Sequence, residues 1–218
     1  MRLDLNKKPE GVWCSFNEKC GTGDGGTKEY KTPIPASEAR SVLVMRDFEF
    51  LSTENRIVFT NEKDGTILKD EADGYKLETR NETELWIVLD RPLGREVRLS
   101  ASGLGRQVGD AFKVFPMSTN LQQKIREKQP AIFRAPAKDR DKATQQDLQE
   151  AGRVGFMFLV EDWVGVNGAD GTPLTCTPET KKAFLDEKDA MFFGLFVSHR
   201  SAAARTEQIT SYSKDSLD

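Results

Sequence analysis

Between Ser41 and Ala101 the chain is cut into short apolar or alternating segments by turn dipeptides, and this pattern restricts the fold more than any other. The segments are Ser41–Met45, Arg56–Thr60, Thr66–Lys69, Tyr75–Thr79, Glu84–Leu89 and Glu96–Ala101. Asp64-Gly65, Asp73-Gly74, Arg80-Asn81 and Pro92-Leu93-Gly94 punctuate them. Segments this short cannot be amphipathic helices, and the short links leave no room for crossover helices, so the pattern predicts an antiparallel sheet or small sandwich. Arg56–Thr60 and Glu84–Leu89 contain continuous apolar runs, as central strands do, whereas Glu96-Val97-Arg98-Leu99-Ser100 alternates as a half-exposed strand does.

The second half has a different period. Ala111-Phe112-Lys113-Val114-Phe115-Pro116 is one more alternating strand. Ser118 or Thr119 then caps a helix through Lys128 that Pro130 ends. Residues Arg134–Arg140 make an exposed linker, and Lys142–Val160 is a helix whose end, Phe156-Met157-Phe158-Leu159-Val160, is apolar. Thr177-Pro178-Glu179 sets a hydroxyl at the N-cap, proline at N1 and an acid in the first turn, which predicts a helix over Pro178–Leu185. Asp189 begins another, Ala190–Arg200. Its Met191-Phe192-Phe193-Gly194-Leu195-Phe196-Val197 is apolar nearly all round and must be buried in its own domain or against a partner. The fold class expected is α+β, an antiparallel β-rich N-terminal half followed by a small helical C-terminal region. Three regions are expected: a β-rich part over 1–109, a strand-plus-helix part over 110–205 and a polar tail over 206–218.

Net charge is −3 in 218 residues, without the basic excess usual in nucleic-acid binders. No run reaches the about 18 apolar residues of a membrane span, and Met1–Leu5 lacks the apolar core of a signal peptide. The chain reads as cytoplasmic. That favours reduced thiols at Cys14, Cys20 and Cys176 over a Cys14–Cys20 bridge.

Candidate chemistry is sparse. Gly21–Lys28 is glycine-rich, but no Gly-Lys-Ser/Thr leads into a helix, so a hairpin tip is expected instead of a phosphate loop. Ser198 and His199 are helical neighbours about 100° apart and form no catalytic pair; His199 with Arg200 suits a helix C-terminus. Asp139, Asp141, Glu161 and Asp162 lack metal-ligand spacing, and the loop after Asp162 departs from a calcium loop. The basic pieces Lys124–Lys128 and Arg134–Lys142 are interleaved with acids, as solvated faces are. Neither an enzyme, a metal nor a cofactor is expected.

Leu159-Val160-Glu161-Asp162-Trp163-Val164-Gly165-Val166, then Asp170-Gly171-Thr172-Pro173-Leu174 and Thr177-Pro178-Glu179, resembles the C-terminal half of the small tail assembly chaperones of long-tailed bacteriophages. Ala111–Asn120 is similar to the family's second strand and first helix start, and Glu10–Phe16 to its opening strand. Residues from 17 to about 108 have no counterpart and read as a β-rich insertion. The resemblance implies a non-enzymatic protein of the infected host cytoplasm that binds the tape measure protein, the tail tube protein or both. It places Trp163, Phe184, Phe192, Phe193 and Phe196 as binding residues; each reads equally well, singly, as a core aromatic. Trp163 is expected to be structural, its indole N–H on a carbonyl or carboxylate, and to shape the binding surface indirectly. A structural tail component, or an inhibitor that binds a host defence protein, stays open, as does homo-oligomerisation.

Overall fold

The computed structural model describes residues 10–39, 41–60 and 66–215. Its strands are β1 Val12–Ser15, β2 Glu18–Thr22, β3 Glu29–Pro35, β4 Leu43–Arg46, β5 Glu49–Phe50, β6 Arg56–Thr60, β7 Ile67–Ala72, β8 Tyr75–Arg80, β9 Glu84–Leu89, β10 Arg98–Ser102, β11 Ala111–Val114 and β12 Val160–Val164. The α-helices are α1 Thr119–Lys128, α2 Gln145–Leu159, α3 Pro178–Glu187 and α4 Ala190–Asp215. Antiparallel sheets fill the N-terminal half and helices the C-terminal end, so the fold is α+β. The turn expected at Asp64-Gly65 lies outside the described residues.

The chain divides into two compact units. One is the continuous stretch Ser15–Gly103. Here β2, β10, β4 and β5 form one sheet and β3, β9 and β8 another. On β9 Leu85, Ile87 and Leu89 alternate inward, and on β3 Tyr30, Thr32 and Ile34 do the same. Together with Val44, Leu99 and Ala101 from the other sheet, their apolar members close a single core, the arrangement of a small sandwich. Arg46 holds the buried carboxylate of Asp73 through two parallel bonds of 3.1 Å.

Two strand assignments need correction. Arg56–Thr60, expected to be central, pairs among the described residues with β7 alone in a two-stranded ribbon, and Val58, Ile67 and Leu68 stand about half exposed or more. The alternating Glu96–Ala101 segment, expected to be half exposed, begins as a strand at Arg98 and lies between β2 and β4 with Leu99 to Ser102 buried. Leu99 and Ala101 enter the core, while Ser100 and Ser102 are small enough to be covered on the opposite face. Apolar content measures what a strand can bury, but its neighbours decide whether it does.

The other unit is formed by the chain up to Cys14 and from Leu104 onward. Its sheet runs β1-β11-β12. Local chemistry starts each helix. The Ser118 hydroxyl accepts the Leu121 N–H at 3.2 Å. Thr144 and Asp147 make a reciprocal capping box, which begins α2 at Gln145 instead of Lys142; Ala137–Lys142 is a 3-10 turn. Thr177 and Thr180 do the same for α3, with Pro178 in its first turn. The Asp189 carboxylate takes the Phe192 N–H and starts α4.

Two features of this unit differ from expectation. Val160–Val164 is a strand, not the end of a helix and a turn; Phe112 lies opposite Trp163 and Ala111 opposite Val164. Moreover, α4 runs on through Asp215, which makes His199 and Arg200 interior helical residues and most of the expected polar tail helical. Ala202-Ala203-Ala204 has the highest helix propensity available, and no glycine or proline follows to stop it.

Candidate functional site

The five aromatics singled out above converge. Around Phe112 of β11 stand Phe156, Phe184, Phe193 and Phe196, with ring centroids 5.7, 6.2, 6.0 and 6.0 Å away, all edge-on. Phe184 stacks on Phe156 at 5.5 Å and meets Phe193 edge-on at 4.8 Å. Trp163 lies 5.7 Å from Phe184, and Phe192 lies 5.3 Å from Phe193. These offsets and edge contacts are those that ring quadrupoles favour. Trp163, Phe192, Phe193 and Phe196 are buried and Phe184 is half-buried. The cluster therefore holds α2, α3, α4 and the sheet together. Phe112 and Phe156, both completely or almost completely buried at its centre, were not among the residues singled out. The signal for Phe112 was present: it occupies an inward position of an alternating strand.

Trp163 also anchors the loop that follows. Its indole N–H donates to the Leu174 carbonyl at 2.6 Å, as expected for a buried tryptophan. The loop closes on itself through Leu174 N–H to Val166 O and Gly168 N–H to Thr172 O. Asp170 accepts the Thr172 hydroxyl and N–H, which hold its carboxyl below the usual range. Gly165 and Gly171 take φ of +79°, where a side chain would be strained.

One groove open to a ligand lies outside the aromatic cluster, between α2 and α3. A groove of about 450 Å³ is lined by Glu150, Arg153 and Met157 of α2 and by Pro178, Glu179, Lys182 and Leu185 of α3. Met157 and Pro178 supply apolar surface and the buried Leu185 lies at its floor; the others place both signs of charge around it. Arg153 bonds Asp186 at 2.7 Å across the two helices. Phe184, next to Leu185, turns into the aromatic cluster, so the rings set the position of α3 against α2.

Burial pushes the Cys14 thiol up to about 12, and it donates to the Phe112 carbonyl. Cys20 and Cys176 are raised, mainly by burial, to about 12 and about 11. Thiols that stay protonated at neutral pH are poor nucleophiles and poor metal ligands. His199 is shifted down by burial and by Arg200. At the glycine-rich tip, the Asp24 carboxylate accepts the N–H groups of Gly26 and Thr27 and the Thr27 hydroxyl. Donors that a phosphate would need are thus engaged. Among the described residues no group of three or more His, Cys, Asp or Glu side chains is placed to hold a metal ion, and no helix is long and apolar enough to cross a membrane. Compared with models of protein families, with curated proteins and with solved structures, the chain matches none.

Proposed function

We propose that this chain is a non-enzymatic assembly chaperone of the bacteriophage tail type, which binds the tape measure protein, the tail tube protein or both in the host cytoplasm. The observation that carries this reading is the groove between α2 and α3, whose apolar surface ringed by both signs of charge suits an amphipathic partner helix. The resemblance over Leu159–Phe196 gives the partner its identity, and the aromatic cluster beneath gives the groove a rigid frame. Trp163, Phe192, Phe193 and Phe196 then serve binding by fixing the helices, not by touching the partner, because their rings are already covered.

Co-expression with the tape measure and tail tube proteins of the same phage tests the proposal. The chain should keep the tape measure protein soluble and should be absent from purified virions. Met157→Lys in the groove should abolish co-purification while leaving the melting temperature within about 2 °C of wild type, as a tolerated surface change does. Recovery of the chain in virions at the abundance of a tail subunit, with no capture of either protein, would refute it. That outcome would favour a structural tail component, for which the exposed Val58, Ile67 and Leu68 of the β6–β7 ribbon offer lasting contact surface.

A further inference from the structure

The basic pieces set aside as solvated faces are brought together by the fold. Residues 118–144 hold seven basic side chains and three acidic ones, in a chain whose net charge is −3. This stretch therefore carries a net positive charge in an otherwise acidic chain. Within it, α1 and the 3-10 turn Ala131–Arg134 enclose a second groove of about 600 Å³, lined by Thr119, Gln122, Gln123, Arg126, Glu127 and Arg134. Arg126 and Arg134 come from different elements and line the same space. Arg46, Arg80 and Arg153 each hold a carboxylate. Arg126 and Arg134 have no hydrogen-bond or ion-pair partner among the described residues.

The geometry points to a recognition groove for an acidic segment of a partner protein, with its carboxylates on Arg126 and Arg134. A guanidinium is a planar fork that matches a carboxylate through two parallel bonds. The amides of Gln122 and Gln123 both donate and accept, as a peptide backbone requires. Glu127 selects against a continuous polyanion: its carboxylate, bonded by the Gln123 amide at 3.0 Å, stands in the same lining. A nucleic-acid strand would bring a phosphate to every step of the groove, whereas a peptide can set a neutral or basic residue beside Glu127. Among the described residues the lining also lacks an aromatic ring on which a base could stack. A volume of this size fits a peptide segment better than a lone phosphate. This surface shares no residue with the groove between α2 and α3, so either site can fail without the other.

The test uses the full chain and a fluorescein-labelled oligo-glutamate peptide, followed by anisotropy at low salt. Single-stranded DNA of equal length and inorganic phosphate serve as competitors. The peptide should bind, and binding should weaken as salt rises. Arg126→Gln and Arg134→Gln should each weaken it about fivefold and together about thirtyfold, the effect of losing one exposed charged pair at each position. Replacing both by lysine should restore part of the affinity, because charge returns without the fork. Lys76→Gln, an exposed cation that lines neither groove, should leave peptide binding unchanged. Both arginines are exposed, so circular dichroism and melting of the glutamine variants should match wild type. Failure of the peptide to bind at low salt, equal binding by wild type and the double glutamine variant, or tighter binding of the DNA would each overturn the assignment. Displacement by phosphate alone at matched charge would also overturn it, since that is anion binding without a peptide.

Discussion

Replacing Gly194 by alanine should destabilise the helical unit, although alanine is the better helix former. Helices α2 and α4 cross where Gly152 meets Gly194. A Cβ on Gly194 would lie 2.3 Å from the Gly152 Cα, 2.4 Å from its carbonyl oxygen and 2.7 Å from its carbonyl carbon. Carbon atoms in contact sit about 3.5–4.0 Å apart, and these are backbone atoms that no rotamer change can move aside. The two helices would have to separate by about 1 Å or more. Separation loosens Phe156 and Leu159 of α2 against Phe193, Phe196 and Val197 of α4, all of them buried. Overpacking of this kind costs about 1–3 kcal/mol, with backbone clashes at the upper end. Removing a mid-helix glycine returns about 1 kcal/mol.

The net expectation for Gly194→Ala is a loss of about 1–2 kcal/mol, or roughly 2–8 °C in melting temperature for a chain of this size. Gly155→Ala is the control, because its Cβ would meet nothing nearer than Ser198 Oγ at 3.6 Å. That change keeps the propensity gain without the clash and should stabilise by about 0.5–1 kcal/mol. Gly152→Ala clashes at the same crossing, with the Ala190 carbonyl oxygen at 2.1 Å. The Gly152→Ala, Gly194→Ala double variant should therefore lose less than the sum of the two, since helices already parted admit the second methyl. Urea unfolding followed by far-UV circular dichroism measures all four. A Gly194→Ala variant at or above wild-type stability would refute the reasoning, as would equal effects at Gly155 and Gly194.

Trp163→Ala should cost about 3–5 kcal/mol, the usual loss for a core aromatic, and a thermal melt checks it; an unchanged melting temperature with lost partner binding would make Trp163 a contact residue. Trp163→Phe keeps a six-membered aromatic ring but removes the pyrrole part and the bond to the Leu174 carbonyl, so a loss of about 1–3 kcal/mol is expected. Asp24 is held at about 2, first by the Thr27 N–H and then by the Thr27 hydroxyl and the Gly26 N–H, against an ordinary 3.8. Because its folded value is the lower one, the tip's stabilisation is complete above about pH 4 and disappears as pH falls through about 2. The Gly26 and Thr27 amide resonances in an NMR titration should report that midpoint, and a midpoint near 3.8 would contradict the hydrogen bonding. Cys14 should resist a thiol reagent at neutral pH until the chain unfolds, while the half-buried Cys176 reacts slowly in the folded protein; mass spectrometry of the labelled peptides distinguishes them.

Features that depend on a few consecutive residues were legible in the sequence. The starts after Ser118 or Thr119, at Thr177-Pro178 and at Asp189 came from capping groups, and Ser118, Thr177 and Asp189 each take an N–H three residues on. Glu84–Leu89 declared itself by a run of apolar residues and is central, between β3 and β8. The greasy stretch Met191–Val197 announced its own burial, and Leu195 alone in it is exposed. Features that depend on a distant partner were not legible. Val160–Val164 is a strand because β11, far back in the chain, offers it a ladder. Val58 of β6 is exposed because, among the described residues, β7 alone pairs with this strand, although its composition matches that of a buried one. Nothing in a glycine's identity tells that Gly152 and Gly194 touch, nor in Arg126 and Arg134 that they share a groove. Capping and propensity act through bonds and sterics inside one turn, so the local sequence contains all their terms. Strand neighbours, helix crossings and shared linings are set by which distant surfaces meet when the core closes, and tertiary packing alone decides that.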